Sequence, residues 1–103
     1  DFSDFVLETI LYHHENYDGT GYPRNLVATD IPEGARMLRL VDAFISLTSD
    51  KAYRKAFDKQ TAVELMIEEV KNFDMKYFLA FLKMIHEIDV DKVIAFEKLE
   101  VDL

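Results

Sequence analysis

Two histidines stand side by side at His13 and His14, and a third candidate ligand, Asp42, follows on a separate apolar segment. Neighbouring residues on a helix lie about 100° apart, so both imidazoles can project toward one side while reaching different points in space. Two adjacent cations are served by such a pair. The same pair also reads as one hydrogen-bonded core histidine beside one surface histidine. Asp42 is set among Met37, Leu38, Leu40, Val41, Ala43, Phe44, Ile45 and Leu47, a helix apolar nearly all round, which is expected to bury the carboxylate. A buried, isolated charge is costly, so Asp42 needs a cationic partner. That partner is a cation shared with the histidines, or Arg39 one turn earlier, and the two need not exclude each other.

Between these ligands lies Asp18-Gly19-Thr20-Gly21-Tyr22-Pro23. Glycines there permit turn geometries and close approach of backbone to a ligand, while Tyr22 offers a stacking face and a hydroxyl. Read alone, the segment is a turn. Lys51, Arg54 and Lys55 form a local basic group in an acidic chain, suited to capturing a phosphate or, equally, to a solvated helix end facing the helix dipole. His86 has no acidic or histidine neighbour at ligand spacing and is read as structural.

The elements that position these residues follow from punctuation and periodicity. Gly19, Gly21, Gly34, Pro23 and Pro32 are all the glycines and prolines of the chain and fall in one window, so the remainder should be helical. A first helix is expected from Ser3 to Glu15, with Phe2, Phe5, Val6, Thr9 and Ile10 on one face. The connection from Asn16 to Ile31 exceeds the roughly 12–15 residues beyond which loops in compact domains are commonly functional. Pro32 and Glu33 suit the first turn of a second helix reaching Ser49. Asp58 is placed to cap a third helix with Ala62, Val63, Met66, Ile67 and Val70 inward and Glu64, Glu68 and Lys71 outward. Asp74 is the next cap, before a stripe of Phe78, Phe81, Leu82 and Ile85; Val90 to Leu103 reads as a short helix or a frayed end. The fold class is all-α, a mainly antiparallel bundle of about four to five helices with one long Gly/Pro-containing loop after the first.

A chain of 103 residues holds one domain and one core, and 50% hydrophobic content with eight Phe is enough to pack helices. The net charge of −8, from 20 acidic against 12 basic residues, argues against general binding of nucleic acid. With no cysteine, any metal must be held by nitrogen and oxygen donors. No apolar run approaches the roughly 18 residues of a spanning helix, so a soluble, cytoplasmic protein without a membrane partner is expected. The chain opens Asp1-Phe2-Ser3 without an initiator Met, as an excised or processed piece would.

Taken together, His13-His14-Glu15-Asn16-Tyr17-Asp18-Gly19-Thr20-Gly21-Tyr22-Pro23 resembles the HHExxDGxGYP signature of HD-GYP domains. The similarity continues through Ile31 to Arg36, Asp42, Leu47 to Ala56, and Phe73-Asp74. The resemblance implies the C-terminal portion of an HD-GYP domain over residues 1–103, without the upstream helices that carry the eponymous His-Asp pair. It further implies that His13, His14 and Asp42 are metal ligands and that Tyr22, Lys51 and Arg54 contact substrate. The family hydrolyses cyclic dimeric GMP at a di- or trinuclear centre, commonly of iron or manganese, which activates a water and clamps the reacting oxygens. In this piece the centre is expected to be incomplete or absent and the piece inactive by itself.

The chain departs from the family's pattern at Ile45, where a second acid often stands, at Lys51-Ala52 in place of Arg-Pro, and at Met75 in place of a proline. Two other readings follow. One is a catalytically degenerate module that docks a signalling protein through the Gly21-Tyr22-Pro23 loop. The other is a hydrolase of the same superfamily acting on another phosphorylated substrate. A bundle lacking helices is also expected to expose apolar surface, and so to self-associate or to rearrange its packing.

Overall fold

The Ser3 hydroxyl accepts the backbone N–H of Val6 at 3.3 Å and so starts the first helix, α1 (Asp4–Tyr12), in a computed structural model that describes residues 3–87. A long connection over residues 13–32, containing one 3-10 turn at Ala28–Asp30, leads to α2 (Glu33–Leu47). Asp58 then caps α3 (Lys59–Glu68), accepting from Thr61 N–H at 2.7 Å as its position before the apolar stripe predicts. A second 3-10 turn, Val70–Asn72, precedes α4 (Met75–Glu87), where the Asp74 carboxylate accepts the Lys76 N–H at 3.0 Å. Among the described residues there is no named strand, and the all-α expectation holds. The predicted segment Val90 to Leu103, and Phe2, lie outside the described residues.

One core joins the last three helices. Leu40 and Phe44 of α2, Ala62 and Met66 of α3, and Phe73, Phe78, Phe81 and Ile85 at α4 form a continuous buried cluster. The rings of Phe44 and Phe81 meet edge to face, 5.5 Å between centroids, a geometry favoured by the ring quadrupole. The start of α2 is tied to the start of α4 by a buried ion pair, Arg36 Nη1 to Asp74 Oδ2 at 2.7 Å. Arg36 also donates Nε–H to the Ile31 carbonyl at 2.9 Å, so one side chain fixes the end of the loop to two helices.

α1 stands apart from this core. It lies against the first turn of α2, where a Cβ on Gly34 would overlap the Thr9 hydroxyl and come 2.9 Å from Phe5 Cζ. Only a residue without a side chain allows that approach.

Several sequence expectations need correction. α1 ends at Tyr12, not Glu15, because the chain turns at His13 and sends Glu15 inward. No α1 residue is buried, and Phe5 and Ile10 of the expected inner stripe are 62% and 56% exposed. Ile67 on α3 is also exposed, whereas Ala62 and Met66 are buried as expected. α2 ends at Leu47, two residues before Ser49, with Thr48 as its cap. Asp42 is exposed rather than buried, since Met37, Val41 and Ile45 beside it are themselves only partly covered among the described residues. An apolar helix surface implies burial only where another element covers it, and α3 and α4 take the Leu40 and Phe44 face instead.

Candidate functional site

The loop between α1 and α2 is organised from beneath by a carboxylate. Glu15, 1% exposed, accepts the backbone N–H of Arg24 at 2.7 Å on Oε2 and that of Leu26 at 3.1 Å on Oε1. Extended loops leave amides unpaired, and an inward carboxylate satisfies two of them at once. Around it, Gly21 packs so tightly that a Cβ would overlap the Asn16 amide and the His14 carbonyl. Gly19 sits at φ +86°, in the left-handed region that glycine adopts without strain. Asp18 closes a turn by accepting the Thr20 hydroxyl at 2.6 Å and the Thr20 N–H at 3.2 Å. Those bonds, the hydroxyl's foremost, hold the Asp18 carboxyl below its ordinary pKa. The Tyr22–Pro23 peptide is cis.

His13 and His14 occupy the turn that follows α1, with ring centroids 4.0 Å apart. Nδ1 of His13 lies 2.6 Å from the Ile10 carbonyl. A carbonyl only accepts, so Nδ1 is the donor, and in the neutral ring the lone pair is then on Nε2, the arrangement typical of metal-ligating histidines. The His14 ring stacks on Tyr22, centroids 4.9 Å apart at 17° between planes. Tyr22 is otherwise 61% exposed, so its outer face is open to a ligand.

Among the described residues, no group of three His, Asp or Glu comes together to hold one ion. The donor types suit a hard or borderline divalent metal, but the two imidazoles and the exposed Asp42 do not close a centre by themselves. Arg39, predicted as the alternative partner of Asp42, is close enough for Asp42 to raise its pKa; burial outweighs that and lowers the guanidinium's pKa overall. Arg39 Nε–H is donated to Asn16 Oδ1 at 3.1 Å, which links α2 to the loop.

The basic group after α2 divides. Arg54 donates to the carbonyls of Ser46 and Lys55, each at 3.1 Å, and its guanidinium lies 4.6 Å from the Phe57 ring centroid. It therefore closes the carboxyl end of α2, the structural alternative drawn from the sequence. Lys51 pairs with Arg54 through the backbone at a tight turn, leaving Tyr53 80% exposed at its tip. His86 is exposed in the last turn of α4.

The bracing role of Glu15, the Asn16–Arg39 bond and the Arg36–Asp74 pair were not anticipated from sequence. Their partners lie at separations that follow no helical period, and Glu15 to Arg24 spans nine residues of irregular chain. The one available signal was the position of Glu15 directly after the two histidines.

The profile of the HD domain family matches residues 1–77. Over 95 residues the chain is 36% identical to a cyclic di-GMP phosphodiesterase of Pseudomonas aeruginosa, covering 92% of this chain and 23% of that protein. Over 82 residues it is 38% identical to a cyclic di-GMP phosphodiesterase of Vibrio cholerae, covering 79% of this chain and 17% of that protein. A 3'3'-cGAMP-specific phosphodiesterase of the same organism is 37% identical over 65 residues, 62% of this chain and 12% of that protein. The chain belongs to the HD domain family, in its HD-GYP branch, and spans less than a quarter of the length of these relatives. Among the described residues, no helix is long and apolar enough to cross a membrane.

Proposed function

We propose that this chain is the loop-bearing part of a cytoplasmic, metal-dependent phosphodiesterase that hydrolyses cyclic di-GMP. In this reading His13, His14 and Asp42 are its contribution to a centre of iron or manganese whose other ligands lie outside the described residues. The observation that carries it is the His13 hydrogen bond to Ile10, which leaves Nε2 free beside a second imidazole. Tyr22, on the loop that Glu15 braces, offers a stacking face to the substrate, and Lys51 a charge to its phosphate. Arg54 serves the phosphate only if its guanidinium gives up the Ser46 and Lys55 carbonyls, so its first role is to close the end of α2.

The test has two arms. With manganese and cyclic di-GMP, the 103-residue chain is expected to show no turnover, while the polypeptide that carries it is active and loses at least about a thousandfold on His13→Ala or Asp42→Ala. An inert carrying polypeptide, or one indifferent to both substitutions, sinks the reading. The exposed Tyr22 and the open donor set favour a second reading, in which the Gly21-Tyr22-Pro23 loop docks a signalling protein without chemistry. Inertness toward cyclic di-GMP and toward other phosphorylated substrates, with partner capture abolished by Tyr22→Ala, is its expected outcome. The uncovered Phe5, Leu7, Ile10 and Leu11 of α1 support self-association of the isolated chain into a dimer. A compact monomer in sedimentation removes that part of the proposal.

A further inference from the structure

A cavity of about 410 Å³ opens between α2, α3 and the 3-10 turn Val70–Asn72, within the size of small-molecule sites. Its polar wall includes Arg39, Asp42, Ser46, Glu69 and Asn72, while Leu47 and Leu65 are among its apolar residues. We infer that this cavity is a nucleobase pocket selective for guanine, read by Arg39 from one side and Glu69 from the other. The inference deepens the phosphodiesterase reading and rests on it for the identity of the whole substrate.

Arg39 has donors left over for recognition beyond its structural bond. It is half-buried, its Cζ lies 5.2 Å from the Phe73 ring centroid, and only its Nε–H is committed, to Asn16. Among the described residues its two Nη nitrogens have no hydrogen-bond partner and remain available as a planar fork. Glu69 lies near enough for its charge to be felt by Arg39, and its Oε2 accepts the Asn72 side-chain amide at 3.3 Å. That one long bond leaves most of the carboxylate's lone pairs to a ligand.

The two groups match guanine edge for edge. A guanidinium donates to O6 and N7, and a carboxylate accepts from N1–H and the N2 amino group. Adenine fails on both sides, since it turns an amino group toward Arg39 and an unprotonated N1 toward Glu69. Apolar walls suit the faces of the ring, and Asp42 at the rim of the same cavity puts the base next to the carboxylate assigned to the metal.

The ¹⁵N-labelled 103-residue chain is titrated with 5'-GMP and with 5'-AMP while the amides of Arg39, Ser46, Glu69 and Asn72 are followed. Expected are saturable shifts at those amides, with GMP bound at least about tenfold more tightly than AMP. Glu69→Gln, at an exposed position, and Arg39→Lys, which keeps the charge but loses the fork, should each erase the preference while the circular dichroism is unchanged. No saturable shift with GMP, equal binding of AMP, or a preference untouched by Glu69→Gln overturns the pocket. The arms separate the two proposals. Guanine selectivity in a chain whose carrying polypeptide leaves cyclic di-GMP intact keeps the pocket and rejects the phosphodiesterase. Equal cleavage of cyclic di-GMP and cyclic di-AMP, indifferent to Glu69→Gln, does the reverse.

Discussion

Oε2 of Glu15 lies 2.7 Å from the backbone nitrogen of Arg24, and through that contact a buried carboxylate holds the far side of the loop. Hydrogen bonds to a charged group are worth about 1.5–3 kcal/mol each, and their loss here leaves two loop amides without an acceptor. Glu15→Ala is therefore expected to cost about 2–4 kcal/mol in urea unfolding. Amide exchange at Arg24 and Leu26 should rise in parallel. A variant within about 0.5 kcal/mol of wild type, the range of an ordinary surface change, defeats the assignment.

Arg36 and Asp74 pair at 2.7 Å with side chains 10% and 8% exposed, so neither charge can turn to water when its partner is removed. Breaking a buried pair from one side costs about 3–5 kcal/mol, more than the pair itself contributes. Asp74→Ala should fall in that range, and Arg36→Met with Asp74→Ala should be less harmful than the sum of the single changes. Additive losses in the double-mutant cycle would mean that the two groups act independently.

Gly34 marks where α1 meets α2, and a methyl there would overlap the Thr9 hydroxyl. Overpacking costs about 1–3 kcal/mol, and α1 has no buried residue of its own to hold it against the strain. Gly34→Ala should thus loosen α1 selectively, seen as faster amide exchange over 4–12 while α3 and α4 keep their protection. Thr9→Ala in the same chain should restore part of the loss, and uniform destabilisation without such rescue refutes the contact.

The helices were legible because Asp58, Asp74 and the Phe78, Phe81, Ile85 stripe signal locally, through caps and a 3.6-residue period. Misreading set in where the outcome depended on a distant surface. The apolar residues around Asp42 predicted burial, yet among the described residues Val41 and Ile45 stay 38% and 55% exposed. Likewise Phe5 and Ile10 keep helical spacing while facing outward. The loop was legible as a motif but not as a construction, since the bonds from Glu15 and from Asn16 to Arg39 join residues with no regular spacing.

The Asp18 turn ties the loop's order to pH. Its carboxyl is held below the ordinary value of 3.8 first by the Thr20 hydroxyl; desolvation opposes this as the next largest effect, and the Thr20 N–H and then the charge of Lys71 add smaller lowering contributions. A depressed folded pKa means that the turn's stabilisation is fully present above the ordinary carboxylate range and is lost as pH falls through the lowered value. At neutral pH the turn beneath Gly21 and Tyr22 is accordingly insensitive to protons. The Thr20 amide shift, followed by NMR as acid is added, should titrate with a midpoint below 3.8. Thr20→Val removes the foremost cause and should move the midpoint, read at the same amide, up toward the ordinary value. Lys71→Gln removes a weaker one and should move it less. Identical midpoints in wild type and Thr20→Val would show that the hydroxyl does not hold the carboxylate.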